Sequence, residues 1–301
     1  MSISTTAISF TRRAGLLARA ADYLELTKPK ISILVLVTVA VAAFVARWGS
    51  VSASTLLPTL IGTALVAASA SALNQWLERK SDALMRRTVD RPLPSGRLSS
   101  AEVLAFGAVT IVAGLAILAW QVNLLTAALG LLIWVLYVGV YTPLKTRTPA
   151  NTAVGAVAGA LPVLLGWASV SAPLNLSAAT LFVTVYLWQF PHFMAIAWLY
   201  REEYGRAGHR MLSVVDPSGR RAGFQALLAA LALLPVSLLP AALHGAGPVY
   251  LAAVLVLGLG QLAVAVSFAR RLDAASARRL LRASLVYLPA ILLLWMMIPL
   301  I

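Results

Sequence analysis

Nine separated stretches of roughly 20 mostly apolar residues, the length that crosses a bilayer as a helix, limit what this chain can fold into. They fall at about residues 31–48, 55–77, 101–120, 122–142, 150–170, 177–199, 223–243, 247–268 and 283–301. With 60% of the 301 residues hydrophobic and 11% charged, little is left for a water-soluble domain. Backbone N–H and C=O groups in lipid must find partners within their own segment. The expectation is therefore an all-α integral membrane protein, a bundle of nine transmembrane helices. Only Gln121 to Asn123 part the third and fourth stretches, so that pair is where a count from hydropathy is weakest.

Charge placement gives an independent count. If the N-terminus lies inside, every Lys and Arg except Arg47, 23 of the 24, falls in an inner segment. By the positive-inside rule the N-terminus is then cytoplasmic and the C-terminus periplasmic, which requires an odd number of spans. The net charge of +14 is thereby explained as loops lying against a membrane, and a nucleic-acid partner is not expected. The absence of cysteine excludes disulfides, thiolate metal sites and cysteine nucleophiles. Residues 1–26 read as a basic cytoplasmic tail and 27–301 as one transmembrane domain. The tail has no apolar core followed by a cleavage site for secretion, and a short Ala/Leu/Arg-rich chain without a convincing presequence is expected in a bacterial inner membrane rather than a mitochondrial one.

The polar residues that interrupt this pattern are concentrated in two inner loops, about 78–100 and 200–222. In NQWLERKSDALMRRTVDRPLP, Asn74, Glu78 and Asp82 recur every four residues at the end of an apolar run. On a helix that spacing puts an amide and two carboxylates on one face, about 6 Å apart along the axis. Ionised carboxylates so close repel, and a hard cation with oxygen ligands relieves the repulsion. Arg86, Arg87, Arg91 and Arg97 follow, and guanidinium groups suit phosphate oxygens. A metal–diphosphate site is the reading. The competing one is a solvated helix end whose acids pair with Arg79, Lys80 and Arg86, but ionisable groups at a membrane boundary are costly unless used.

A second polar ladder runs through WQFPHFMAIAWLYREEYGRAGHRML. Read as one helix, it lines up Gln189, His192, Ile196, Leu199 and Glu203, with Pro191 positioned to kink the span. Glu203 is a further candidate metal ligand, and His192 is either a core histidine or a substrate-facing one. Tyr137, Tyr141 and Lys145 step by four toward the inner surface, with Arg147 beyond them. Lys145 and Arg147 fit either topology anchors or anion ligands. Gly155 and Gly159 form a small-residue face suited to close helix packing.

The run Asn74, Glu78, Asp82, Met85, Arg87, Thr88, Arg91, Pro92, Leu93 and Pro94 resembles the first signature of the UbiA-type intramembrane prenyltransferases, in the wording of their haem-farnesylating branch. Trp188, Gln189, Pro191, His192, Phe193, Tyr204, Gly208, Met211 and Leu212 resemble that branch's second motif. Tyr141, Lys145, Asn151, Gly155, Gly159, Pro162, Gly166 and Trp167 resemble its central block. The likeness covers about residues 22–290. Family members vary between Asp and Glu at the positions of Glu78 and Glu203.

What the resemblance implies is transfer of a farnesyl group from farnesyl diphosphate to a vinyl group of protohaem IX, giving haem O and diphosphate. Haem b is then a substrate, not a cofactor. Mg²⁺, or Mn²⁺, would be held by Asn74, Glu78, Asp82 and Glu203. Arg87, Arg91, Tyr141, Lys145 and Arg147 would bind diphosphate, and His192 and Tyr204 would bind haem. The lipid bilayer would supply both apolar substrates, and a haem A synthase is the expected partner. An aromatic-acid or quinone-precursor prenyltransferase and a multi-span transporter are the alternatives. A transporter, however, would carry polar groups near mid-membrane in several helices, whereas here nearly all acids cluster at the inner end.

Overall fold

The computed structural model describes residues 15–300. Among them nine helices are long and apolar enough to cross a membrane: α2 (Pro29–Arg47), α3 (Ala53–Asp82), α4 (Ser100–Gln121), a composite span (Leu124–Leu144), α7 (Asn151–Ser169), α8 (Leu176–Leu199), α11 (Arg220–His244), α12 (Pro248–Arg271) and the last, which begins with α13 (Ala274–Met297). The composite span consists of α5 (Leu124–Trp134), a π-helical stretch (Val135–Tyr141) and α6 (Thr142–Leu144). Pro143 cannot donate to the backbone ladder, and the Tyr137 carbonyl before it accepts both the Thr142 N–H and, at 2.8 Å, Thr142 Oγ1.

Short polar linkers set the helix starts. Ser99 and Glu102 form a capping box on α4, and Asn123, Asn175 and Asp273 cap α5, α8 and α13 through their side chains. The Asn123 cap marks the turn that separates the third and fourth spans, so that pair is two helices.

The spans pack in sequence, α3 on α4, α4 on α5, α5 on α7, α7 on α8, α8 on α11 and α11 on α12. The ring closes where α13 meets both α8 and α2. Helix α7 is the most enclosed span, lying against α2, α5 and α8. Gly166 sits where α7 meets α2, and a Cβ there would lie 2.2 Å from the Val39 carbonyl oxygen. Gly155 and Gly159 work differently from the packing face expected of them. A Cβ at Gly155 would strike the Tyr141 ring at 2.7 Å, and one at Gly159 the Gln189 amide at 2.2 Å. These two glycines make room for side chains rather than for a neighbouring backbone.

Val109, Val112, Trp120, Val256 and Val286 are exposed around the outside, as an apolar solvent permits. The chain is a multi-pass membrane protein. Of the 26 residues read as a tail, 1–14 (with Arg12 and Arg13) lie outside the described residues, and Leu16–Leu26 forms a helix, α1. Its buried Leu26 joins a small core with Ala72, Leu98 and Val103, and Arg97 pairs with its Asp22 and with its Glu25 at 2.7 Å. Arg97 therefore ties α1 down and is not free for a phosphate.

Candidate active site

The last two and a half turns of α3 carry the first ladder as expected, and the burial is deep: Asn74 is 0% exposed, Glu78 8% and Asp82 1%. Each rung meets a cation from a different part of the chain. Lys28 Nζ donates to Asn74 Oδ1 at 2.6 Å, Lys145 Nζ lies 2.7 Å from Glu78 Oε1, and Arg91 Nη1 donates to Asp82 Oδ2 at 2.7 Å. Asn74 also donates to Thr142 Oγ1 at 3.0 Å. The helix of α3 spaces the rungs, and the loops bring the cations to them.

Lys28 and Thr142 are residues the sequence reading missed. Lys28 caps α2 in a left-handed conformation, φ 49°, which is uncommon for a residue with a Cβ. Burial, and then the nearby Arg91, pulls its pKa down to about 7. The one sequence hint was a lysine immediately before the proline that opens a span, on the same side as the ladder. Burial is the largest influence on Lys145 and lowers its pKa, but the Glu78 carboxylate together with Tyr141 and Tyr137 outweighs it, and the value ends raised.

The second ladder does not continue through as one helix. Helix α8 ends at Leu199, Tyr200 leaves helical geometry (φ −110°, ψ 18°), and α9 (Arg201–Arg206) starts afresh. The face expected to join His192 to Glu203 is broken there, and α8 runs on through Pro191 as a continuous helix. Glu203 nevertheless reaches the first loop, its Oε2 accepting the Arg87 backbone N–H at 3.5 Å. Arg87 Nη2 donates to the Tyr204 hydroxyl at 3.3 Å, and the guanidinium lies 5.0 Å from the Tyr200 ring centre. Tyr204 thus shares Arg87 with Glu203, while the neighbours of His192 lie elsewhere, on α8 and on α13.

His192 Nδ1 is 2.9 Å from Ser284 Oγ on α13, and its ring stacks on Trp188 at 5.0 Å. Tyr141 lies under the Lys145 ammonium at 4.7 Å and beside Tyr137 at 5.3 Å. Arg147, two residues after Lys145, is exposed and makes no side-chain bond to this cluster, and Arg86 is exposed as well.

His209 is the other residue the reading missed. It is 3% exposed, lies edge-on to Tyr204 with ring centres 5.8 Å apart, and feels the charges of Glu78, Asp82, Lys145 and Arg87. Nothing in its local sequence marks it. A short helix, α10 (Leu212–Val215), follows and leads back to α11.

No group of three or more His, Cys, Asp or Glu among the described residues stands together in metal-binding geometry. The donor set still suits a hard divalent ion. Asp82 Oδ1 is buried without a hydrogen-bond partner, and Glu78 Oε1, although 2.7 Å from Lys145, is not aligned for a hydrogen bond. Both are carboxylate oxygens on one helix face, the ligand type Mg²⁺ and Ca²⁺ take. A diphosphate would supply further oxygens and give Lys28, Lys145, Arg87 and Arg91 an anion to hold. Ladder and cations together make this a candidate anion-and-metal site at the polar mouth of an apolar helix bundle.

That combination defines a class, the intramembrane enzymes that handle an ionic head and an apolar tail together. Residues 35–296 match the model of the UbiA prenyltransferase family, and the chain belongs to that family. It is 44% identical over 279 residues to a protein named protoheme IX farnesyltransferase from Solibacter usitatus, covering 90% of this chain and 96% of that one. It is 46% identical over 272 residues to one of the same name from Myxococcus xanthus, covering 89% and 91%. Among solved structures, one described as digeranylgeranylglyceryl phosphate synthase superposes with a TM-score of 0.79 at 16% identity, covering 93% of this chain and 98% of that one. A UbiA homologue from Archaeoglobus fulgidus bound to GPP and Mg²⁺ gives 0.65 at 16% identity, covering 91% and 99%. These two likenesses speak for the fold.

Proposed function

We propose that this chain transfers a farnesyl group from farnesyl diphosphate to a vinyl group of protohaem IX, with water adding to the same vinyl, to give haem O and diphosphate. The observation that carries the acceptor is the 44% identity across 90% of the chain to a protein named for that reaction. The buried ladder with its cations supports the diphosphate half.

The chemistry sets what each residue must do. The allylic C–O bond breaks, the electron pair leaves with diphosphate, the vinyl carbon attacks the farnesyl C1, and water captures the resulting cation and loses a proton. Negative charge therefore builds on the leaving group, and preformed donors aimed at it lower the barrier. Lys145, Arg87 and Arg91 supply such donors, and Tyr141 and Tyr204 fix the first two through ring and hydroxyl contacts. Asn74, Glu78 and Asp82, with Glu203 across the gap, would hold Mg²⁺ or Mn²⁺. That ion would act as a Lewis acid on the diphosphate oxygens. Arg147, exposed at the rim, adds positive charge that draws the anion toward the site.

His192 is the acceptor-side residue. Its Nδ1 is engaged by Ser284, which leaves Nε2 for the haem. The apolar walls take the isoprenoid and macrocycle from lipid and keep bulk water from the allylic cation. The cluster lies on the cytoplasmic side, since it shares its end of the bundle with nearly all the basic residues. Residues 27–301 act as one transmembrane unit in a bacterial inner membrane, passing haem O to a haem A synthase.

Incubating the purified protein with labelled farnesyl diphosphate and either haem or 4-hydroxybenzoate tests the assignment. Label in the haem fraction alone is expected, and label on the benzoate alone would replace this acceptor with an aromatic one.

A further inference from the structure

Three backbone contacts place the loop that follows α9. Gly208 adopts φ 75°, a left-handed turn that glycine allows without steric cost. The His209 N–H returns to the Tyr204 carbonyl at 2.9 Å, and the Arg210 N–H donates to the Lys145 carbonyl at 2.6 Å. Asn151 Nδ2 then donates to the Arg210 carbonyl at 3.3 Å. His209 is thus pinned on both sides and held against the backbone of the residue that pairs with Glu78.

The side chain itself is unfinished. It is 3% exposed, yet its Nδ1 is buried with no hydrogen-bond partner. A buried ring nitrogen without a partner is costly, because its lost water contacts are not replaced. Such an atom amid Glu78, Asp82, Lys145 and Arg87 points to a ligand these groups share.

We propose that His209 is a diphosphate-binding residue: its Nδ1–H donates to an oxygen of the diphosphate held by Lys145, Arg87 and Arg91. This rests on the prenyl-diphosphate reading of the site and adds to it a contact from the loop after α9. The imidazole is suited to the task because it donates without bringing another charge into a cluster already rich in cations. Burial, against the pull of Glu78, lowers its pKa, which favours the neutral ring. Donation also fixes the tautomer, with the proton on Nδ1 and the lone pair on Nε2.

The test is equilibrium binding of farnesyl S-thiolodiphosphate, a slowly reacting substrate analogue, to the full-length protein in detergent with Mg²⁺, alongside thermal unfolding. His209→Leu keeps the volume and removes the donor. His209→Asn puts an amide N–H at the Nδ1 position, and His209→Gln puts it out near Nε2. A hydrogen bond to a charged oxygen predicts about 10- to 100-fold weaker binding for Leu and Gln, with Asn close to wild type and unfolding temperatures alike. If Leu does not fold, the contrast between Asn and Gln decides the matter. Equal binding by Asn and Gln, or wild-type affinity in Leu, overturns the role of His209. Failure of the wild-type protein to bind the analogue overturns the diphosphate reading instead.

Discussion

The pair Glu78–Lys145 is both the centre of the site and a buried ion pair, and the two roles can be separated. The charged atoms lie 2.7 Å apart, with side-chain exposures of 9% and 16%. Breaking such a pair from one side strands the other charge, at a typical cost of about 3–5 kcal/mol, whereas replacing both partners by apolar groups is often nearly neutral. In Glu78→Leu the Tyr141 ring 4.7 Å from Lys145 offsets part of the loss, and the low end of that range, about 3 kcal/mol, is the expected minimum for either single variant. At about 1.5 °C per kcal/mol for a chain of 301 residues, Glu78→Leu and Lys145→Met should each lower the unfolding temperature by about 5 °C. The double variant should fall no further than either single one, a coupling of about 3 kcal/mol. Intrinsic tryptophan fluorescence during heating, in detergent with a chelator present, measures this without labels, since the chain has eight Trp and no Cys. All three variants should lose prenyl transfer. Additive losses in the double variant, within about 0.5 kcal/mol, would show that the contact has no net energy and would refute the reasoning.

Asp82→Ala should abolish prenyl transfer and leave unfolding within a few degrees of wild type, because its partner Arg91 is partly exposed and can turn to water; retained activity in the purified variant would remove the metal role from this rung. Gly166→Ala should destabilise by at least about 1–3 kcal/mol, since the Val39 carbonyl 2.2 Å away is backbone and α2 must move bodily from α7. Gly260→Ala, with nothing within 4 Å, serves as the control that should unfold no earlier than wild type. Gly155→Ala should push the Tyr141 ring from beneath Lys145 and cut kcat/KM by about 10- to 100-fold with little change in unfolding temperature; a fall in stability with unchanged kcat/KM would show that the glycine serves packing alone.

Much of this architecture is legible in the sequence because the bilayer simplifies the problem. Apolar run length and the distribution of Lys and Arg fix nine spans and one chemically rich end. The four-residue step of Asn74, Glu78 and Asp82 survives into the structure because α3 is a continuous helix to its last turn. What the sequence does not reveal is set by contacts distant along the chain. Lys28 reaches Asn74 across 46 positions, and Lys145 reaches Glu78 across 67. His209 arrives by way of a loop whose course no local pattern encodes. The alignment of His192 with Glu203 assumed helical phase across Tyr200, and a single residue leaving helical geometry ended it. Arg97 looked like its neighbours Arg87 and Arg91 until α1, itself read as part of a tail, proved to hold it.

Locating the cation is the most direct test of the account. Crystals grown with Mn²⁺ and farnesyl S-thiolodiphosphate, measured at the manganese edge, should show an anomalous peak about 2 Å from side-chain oxygens of Asn74, Glu78 or Asp82. The diphosphate should lie between that peak and Lys145, Arg87 and Arg91. A manganese ion elsewhere, or a diphosphate bound without any approach to the end of α3, would contradict it.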